Sequence, residues 1–309
     1  MSLAIQVRGL KKTYGKVKAL GGLDLDVPRG GIFGVVGPNG AGKTTLFSVV
    51  SGYLPADSGT VELDGQLVKA GAAPPAGRFA ILPQDAAFID GMNLGPQLVF
   101  YGELQGLDPA TAKREARRVL DLVGLPEVFD RRARTLSNGM HKRVGIAQAF
   151  IGDPAVVILD EPTAGLDPHA ARDIRVLLRE ITGDRTVVVS SHNLTEIEDL
   201  CEGVAILNEG TLVRQDTISG VIGGADLVVF RLGREPRPEE LSRLESLEFV
   251  GGAEWSERDD RLRVRFDPQL QPPGPAARDM VATLVQLGVP FVEMQVGKSL
   301  EERFIEETR

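Results

Sequence analysis

Nine consecutive residues carry the strongest chemical signal in the chain: Gly37, Pro38, Asn39, Gly40, Ala41, Gly42, Lys43, Thr44 and Thr45. They fit the pattern G-x-x-x-x-G-K-[ST]. Glycines let the backbone curl around anionic oxygens, and unpaired N–H groups at a helix start point into that curl. A lysine placed as Lys43 reaches β- and γ-phosphates, and the Thr44 hydroxyl is a ligand for Mg2+. The pattern has meaning only between a strand and a helix. Here the apolar run GIFGVVG (31–37) precedes it and TTLFSVVSGYL follows. A second signal is VVILD followed by Glu161. Four apolar residues bury a strand and deliver Asp160 at its carboxyl end, where α/β sheets place ligands. Asp160 is a candidate Mg2+ ligand through water, and Glu161 a candidate base for an attacking water.

The surrounding elements must bring these two segments together. FAILP (79–83), AVVILD (155–160) and TVVVSS (186–191) read as buried strands. ATAKREARRVLDLVG (110–124) and HAARDIRVLLREI (169–181) read as helices, the first stopping at Gly124. Apolar strands between helices predict a parallel α/β sheet covered on both faces. Residues 11–27 and 58–68 alternate more and carry glycine turns, which predicts antiparallel additions.

The composition shifts near 219–226 (SGVIGGAD). Beyond it, LVVFRL, PEELSRLESL, the hairpin EFVGGAEW–RLRVRF, AARDMVATLVQLG and VPFVEMQV read in the order βαββαβ. That is the split-βαβ, ferredoxin-like arrangement. The expected division is therefore a first domain over 1–220 and a small α+β accessory domain over 226–309. SLEERFIEET (299–308) reads as an amphipathic terminal helix.

Composition excludes several classes. The chain has 309 residues, with 35 Lys plus Arg against 43 Asp plus Glu, a net charge of −8. No basic excess exists to neutralise phosphates, so no nucleic-acid partner is expected. A single cysteine, Cys201, excludes a disulfide framework or a Cys-rich metal site. MSLAIQVRGLKK is not followed by an apolar h-region, so no signal peptide is expected. The longest purely apolar run is about Ala155 to Leu159, far short of the roughly 20 residues of a membrane span.

Further segments stand in a telling order around the two signals: TYG with Tyr14, ILPQD with Gln84, Leu136-Ser137-Asn138-Gly139-Met140, Ala164-Gly165-Leu166-Asp167-Pro168, and VVVSSH with His192. Over about residues 3–215 the chain thereby resembles the nucleotide-binding subunit of an ABC transporter. The resemblance implies a P-loop NTPase ABC ATPase domain, with a mostly parallel core sheet, an antiparallel β subdomain and a helical subdomain at about 86–150. It implies ATP and Mg2+ as cofactors. Tyr14 would stack on adenine. Gln84, neutral and unable to compete as a base, would contact Mg2+ beside Thr44 and Asp160 and link the site to the membrane subunit. His192 would hydrogen-bond the γ-phosphate.

Ser137, Asn138, Gly139 and Met140 match the signature segment, whose common form is Leu-Ser-Gly-Gly-Gln. Ser137 is also a plausible N-cap for the following helix. In the family this segment acts in trans on ATP bound by a second cassette, with Asp167 at the junction, which implies a homodimer. The Met-ended variant looks like exporter-type cassettes working beneath a separate transmembrane permease subunit, at the cytoplasmic face of the membrane. Met140 cannot hydrogen-bond as Gln could. Phe88, Phe100 and Tyr101 are candidate docking residues. His141 and His169 read as surface helix-start residues, and Cys201 and Trp255 as packing. The alternative is a soluble ABC-type ATPase acting on a non-membrane partner such as the ribosome, although such relatives usually carry two cassettes in one chain.

Overall fold

The computed structural model describes residues 2–68, 77–222, 226–297 and 299–307. It falls into two units, one running to Ile218 and one from Ser219. The composition shift near 219–226 includes residues 223–225, which lie outside the described residues, as does the last residue of the segment 299–308.

Six strands form the central sheet of the first unit: β3 (Gly31–Val36), β6 (Phe79–Leu82), β7 (Val156–Leu159), β8 (Thr186–Ser191), β9 (Gly203–Asn208) and β10 (Thr211–Thr217). Their order is β10-β9-β3-β8-β7-β6, and all are parallel except β10, which returns antiparallel to β9. β7 and β8 are buried along their whole length, as expected of VVIL and TVVVSS in a sheet covered on both faces. Strand register aligns the ends of these strands. Val36 pairs with Ser191 and Leu159 with Val189, so β3, β7 and β8 end almost level. The residues after each strand are thereby gathered at one edge.

A second, antiparallel sheet holds β1 (Leu3–Tyr14), β2 (Val17–Pro28), β4 (Ser58–Leu63) and β5 (Gln66–Val68), in the order β2-β1-β4-β5. Its apolar face, including Val7, Leu10, Leu23 and Val27, shares one core with Leu46, Phe47 and Val50 of α1 (Lys43–Val50). Burying each such side chain contributes about 1.5–3 kcal/mol. That core anchors the helix whose first residue is Lys43. Helices α2 (Leu94–Leu104), α3 (Pro109–Leu122) and α4 (Asn138–Ala149) lie between β6 and β7 in the chain. α3 begins at the Asp108 cap with Pro109 in its first turn. α5 (Pro168–Thr182) begins the same way at Asp167 and Pro168. α6 (Leu194–Leu200) is capped by Asn193, and the short α7 is Ile218–Ile222.

The second unit contains β11 (Leu227–Leu232), α8 (Pro238–Glu245), β12 (Val250–Ser256), β13 (Arg261–Phe266), α9 (Pro273–Gln286), β14 (Phe291–Val296) and α10 (Leu300–Glu307). The sheet order is β12-β13-β11-β14 with every pair antiparallel, the order of a split-βαβ fold. Val228, Phe230 and Leu232 alternate inward with Leu262, Val264 and Phe266, and Leu244, Met280 and Leu284 of the two helices close that core. Glu302 of α10 pairs with Arg261.

Candidate active site

The loop after β3 is held tightly from behind. A Cβ on Gly37 would lie 2.5 Å from the carbonyl oxygen of Leu207, and one on Gly42, at φ 99°, 2.6 Å from that of Ala19. Only glycine tolerates both approaches. The turn between β9 and β10 backs the loop: Gly210 N–H donates to Ala41 O at 3.1 Å, and Gly21 N–H to Gly210 O at 2.7 Å. Pro38, Asn39 and Gly40 are exposed on the outer rim, Ala41 is buried, and Thr45 continues α1 behind Thr44. Lys43 is 7% exposed and donates to Gly37 O at 2.7 Å and Pro38 O at 3.3 Å. Burial lowers its pKa, while the nearby Glu161 and Asp160 charges act in the opposite direction.

Asp160 and Glu161 follow β7 and are buried. Asp160 N–H donates to Leu82 O of β6 at 2.9 Å. Its Oδ2 accepts from Thr44 Oγ1 at 3.2 Å, and its Oδ1 from Ser190 Oγ. Glu161 adopts φ 51°, a left-handed conformation uncommon for a residue with a Cβ. Its N–H donates to Ser190 Oγ at 2.9 Å, and its Oε2 lies 2.9 Å from His192 Nδ1. Two residues on, Thr163 Oγ1 donates to Glu196 Oε2 of α6 at 2.6 Å. Arg175 of α5 reaches Glu196 at 3.4 Å and Asp199 at 3.1 Å, clamping α6 in place.

The structure therefore brings Lys43, Thr44, Asp160, Glu161 and His192 into one constellation. Gln84 stands two residues beyond β6, the strand beside β7; it is exposed, and its carbonyl accepts from Lys142 Nζ at 3.5 Å. Tyr14 ends β1 opposite Val17, 46% exposed, with Lys12 Nζ 5.7 Å from its ring centroid. Ala19 and Leu20, a few residues further round that hairpin, are the groups packed on Gly42.

Ser137, Asn138, Gly139 and Met140 are elsewhere, at the start of α4. Ser137 Oγ accepts from Met140 N–H at 3.3 Å as the helix cap, and the segment's hydrogen bonds stay within its own turns. A Cβ on Gly139 would lie 3.7 Å from Ala170 of α5. Asp167 caps α5, its carboxylate pKa lowered mainly by the Ala170 N–H, then by that of His169.

The family-model comparison matches "ABC transporter" at residues 20–164. The chain is 34% identical to the linearmycin resistance ATP-binding protein LnrL of Bacillus subtilis over 229 residues, 73% of either chain. The chain belongs to the ABC transporter family. It is also 33% identical to the daunorubicin/doxorubicin resistance ATP-binding protein DrrA of Streptomyces peucetius, covering 87% of this chain and 82% of that one. The Nod factor export ATP-binding protein I of Ralstonia nicotianae is 34% identical over 68% of this chain and 66% of its own. Among solved structures, cbiO1 from Clostridium perfringens, part of the ABC transporter complex cbiONQ, superposes with a TM-score of 0.64 at 27% identity. That superposition covers 72% of this chain and 91% of cbiO1.

The ABC cassette is thus an ATP-binding, ATP-hydrolysing unit. Its oxygen donors suit Mg2+: Thr44 Oγ1 and Asp160 Oδ2 are hard ligands already 3.2 Å apart. Ser190, Thr163, Glu196 and Gly210 complete the site without having been singled out in the sequence. Asn-Glu-Gly-Thr (208–211) was the available hairpin signal for the last of them.

Two expectations are corrected. His141 is not a simple surface residue: it is half-buried, 5.1 Å edge-on to the Phe88 ring, and burial followed by the Lys142 charge lowers its pKa. Phe88 is itself buried by that contact and unavailable for docking, whereas Phe100 is exposed and Tyr101 half-buried. Sequence periodicity also missed α2, α6, β9 and the antiparallel β10. His169 is exposed at the start of α5, Cys201 is buried, and Trp255 packs half-buried against the second core, all as expected.

Proposed function

We propose that this chain is the ATP-hydrolysing subunit of an exporter, working as a homodimer beneath a separate transmembrane permease subunit at the cytoplasmic face of the membrane. The observation that carries it is the convergence of Lys43, Thr44, Asp160, Glu161 and His192 at one edge of the sheet. In this reading the N–H groups of residues 37–45 and the Lys43 ammonium bind the β- and γ-phosphates, and Tyr14 stacks on adenine. Thr44, Asp160 and Gln84 hold Mg2+, which when bound neutralises charge on the β- and γ-oxygens. Glu161 accepts a proton from water. The water oxygen forms a bond to the γ-phosphorus, the bond to the β-phosphate oxygen breaks, and ADP and phosphate leave. His192 donates to the γ-phosphate.

Among the described residues the hydrogen bonds of Ser137–Met140 stay within the start of α4 and none runs to the phosphate loop, which supports closure in trans. A positive helix end capped by Ser137 attracts an anion on a facing copy. Asp167, beside it through α5, would lie at that junction. Exposed Ile89, Met92, Phe100 and Leu104 around α2 give the helical segment an apolar outer surface suited to a permease. Among the described residues no helix is long and apolar enough to cross a membrane, so this reading needs a separate spanning subunit. The relatives named above carry resistance and export in their names, which favours an exporter over a ribosomal ATPase.

The test is a pull-down of tagged protein from detergent-solubilised source membranes. The expected result is a stoichiometric polytopic partner whose co-reconstitution raises the ATPase activity of this chain. Recovery with ribosomes, or with no membrane protein, would overturn the transporter reading while leaving the ATP site intact.

A further inference from the structure

Ser190 lies one residue before the end of β8, and its side chain is fully buried, at 0% exposure. Parallel register accounts for its place. Leu159 pairs with Val189, so Asp160 falls level with Ser190. The hydroxyl donates to Asp160 Oδ1 and accepts the N–H of Glu161 at 2.9 Å, so its one proton and one of its lone pairs are committed to the two acidic residues. That double use has two consequences. With Oδ1 held, Asp160 turns Oδ2 toward Thr44 Oγ1 at 3.2 Å. With its N–H held, the Glu161 backbone keeps its left-handed φ of 51° and its carboxylate stands against His192. Non-glycine residues keep such a conformation only when their surroundings over-determine it.

We propose that Ser190 is a positioning residue for the nucleotide site: its single hydroxyl selects which Asp160 oxygen faces Thr44 and fixes the turn that aims Glu161. The inference rests on the reading of Asp160 as a metal-binding group and Glu161 as the base. Neither Ala nor Val at this position supplies the bond. Asp160 is then free to rotate, and a buried N–H at Glu161 loses its acceptor. Lys43 donates to Gly37 O and Pro38 O, while the Ser190 hydroxyl serves Asp160 and Glu161, so nucleotide affinity rests on hydrogen bonds the change leaves alone.

The experiment compares the full-length protein with S190A and S190T. Mn2+ binding to the protein–ADP complex is read by electron paramagnetic resonance, beside kcat and KM for ATP and nucleotide affinity in EDTA. In S190A we expect Mn2+ affinity and kcat each to fall about 10-fold or more, with KM and metal-free nucleotide affinity within about twofold. S190T keeps the hydroxyl and restores both quantities. Metal-free nucleotide binding confirms that each variant is folded. Wild-type Mn2+ affinity and kcat in S190A would overturn the proposal, and so would equal impairment of S190A and S190T, which would assign the effect to volume. If instead D160N keeps Mn2+ affinity and E161Q keeps turnover, the underlying reading of the acidic pair has failed rather than the role of Ser190.

Discussion

His192 Nδ1 stands 2.9 Å from Glu161 Oε2, joining a side chain that is 65% exposed to one that is only 8% exposed. An ionised carboxylate only accepts, so the imidazole proton of this contact sits on Nδ1. In neutral His192 the outward Nε2 is then an acceptor. It becomes a donor to a phosphate oxygen once the ring turns away from Glu161 and takes the other tautomer. The pair is therefore an arrangement in which Glu161 and His192 occupy each other, and nucleotide must separate them before both can act on the γ-phosphate and its water.

Glu161→Gln should keep ATP binding, lower turnover by about 10²–10⁴-fold, the usual worth of a general base, and trap an ATP-bound dimer. Equilibrium ATP binding, phosphate release and size-exclusion chromatography with light scattering measure the three outcomes. Undiminished phosphate release would remove Glu161 as the base. His192→Ala should also lose turnover while leaving the Lys43 loop and its affinity in place.

The Thr163 hydroxyl, 2.6 Å from Glu196, ties the segment after Glu161 to α6, whose Asn193 cap directly follows His192. Thr163→Val keeps the volume and removes the bond. We expect kcat to drop about tenfold, equivalent to about 1.4 kcal/mol in the barrier, with KM for ATP little changed and recovery in Thr163→Ser. Parallel losses in kcat and nucleotide affinity would show instead that the change disrupts the loop as a whole.

The phosphate loop, the buried strands and the βαββαβ order of the second unit were legible because each rests on local pattern. Gly37 to Thr45 is contiguous, and Val228, Phe230 and Leu232 alternate with a period of two. Ser190, Thr163 and Glu196 were not legible. Their partners lie about thirty residues away and meet them only through the tertiary fold, Ser190 by parallel register and Thr163 by the packing of α6 beside the turn after β7, which leaves no trace in periodicity. β10 escaped because TLVRQDT is an edge strand with no buried position, and its mostly polar side chains resemble a loop. His141 looked like a surface residue because its own helix gives no hint that Phe88 folds over it.

Ser137→Arg should leave ATP binding to the monomer intact and prevent ATP-driven dimerisation. The reason is geometric: Ser137 and Gly139 sit at the α4 start and, among the described residues, make no hydrogen bond to the chain's own phosphate loop, so beyond the lost cap a bulky cation there acts on a facing copy. Loss of the cap will itself cost α4 about 1 kcal/mol. Ser137→Ala is the control, since it removes the cap without the bulk and should still dimerise. Dimerisation of both variants with ATP would mean that the signature segment does not close the site.

Glu240 gives a pH test confined to the second unit. It is 6% exposed, accepts from Arg234 at 2.6 and 2.8 Å, and receives the Arg237 N–H. Those contacts, Arg234 first, hold its pKa down to about 2, below the ordinary 4.5. A carboxylate whose folded pKa is depressed stabilises the fold fully above its unfolded pKa and loses that contribution as pH falls toward the folded value. Glu240→Gln should thus cost on the order of 1–3 kcal/mol at neutral pH, the worth of a charge-assisted hydrogen bond, and the deficit should shrink between about pH 4.5 and 2. Trp255 is the only tryptophan in the chain and packs on the core of this unit, so urea unfolding followed by its fluorescence reads this unit directly. A deficit that stays constant down to pH 2 would assign the loss to packing around α8 rather than to the ion pair.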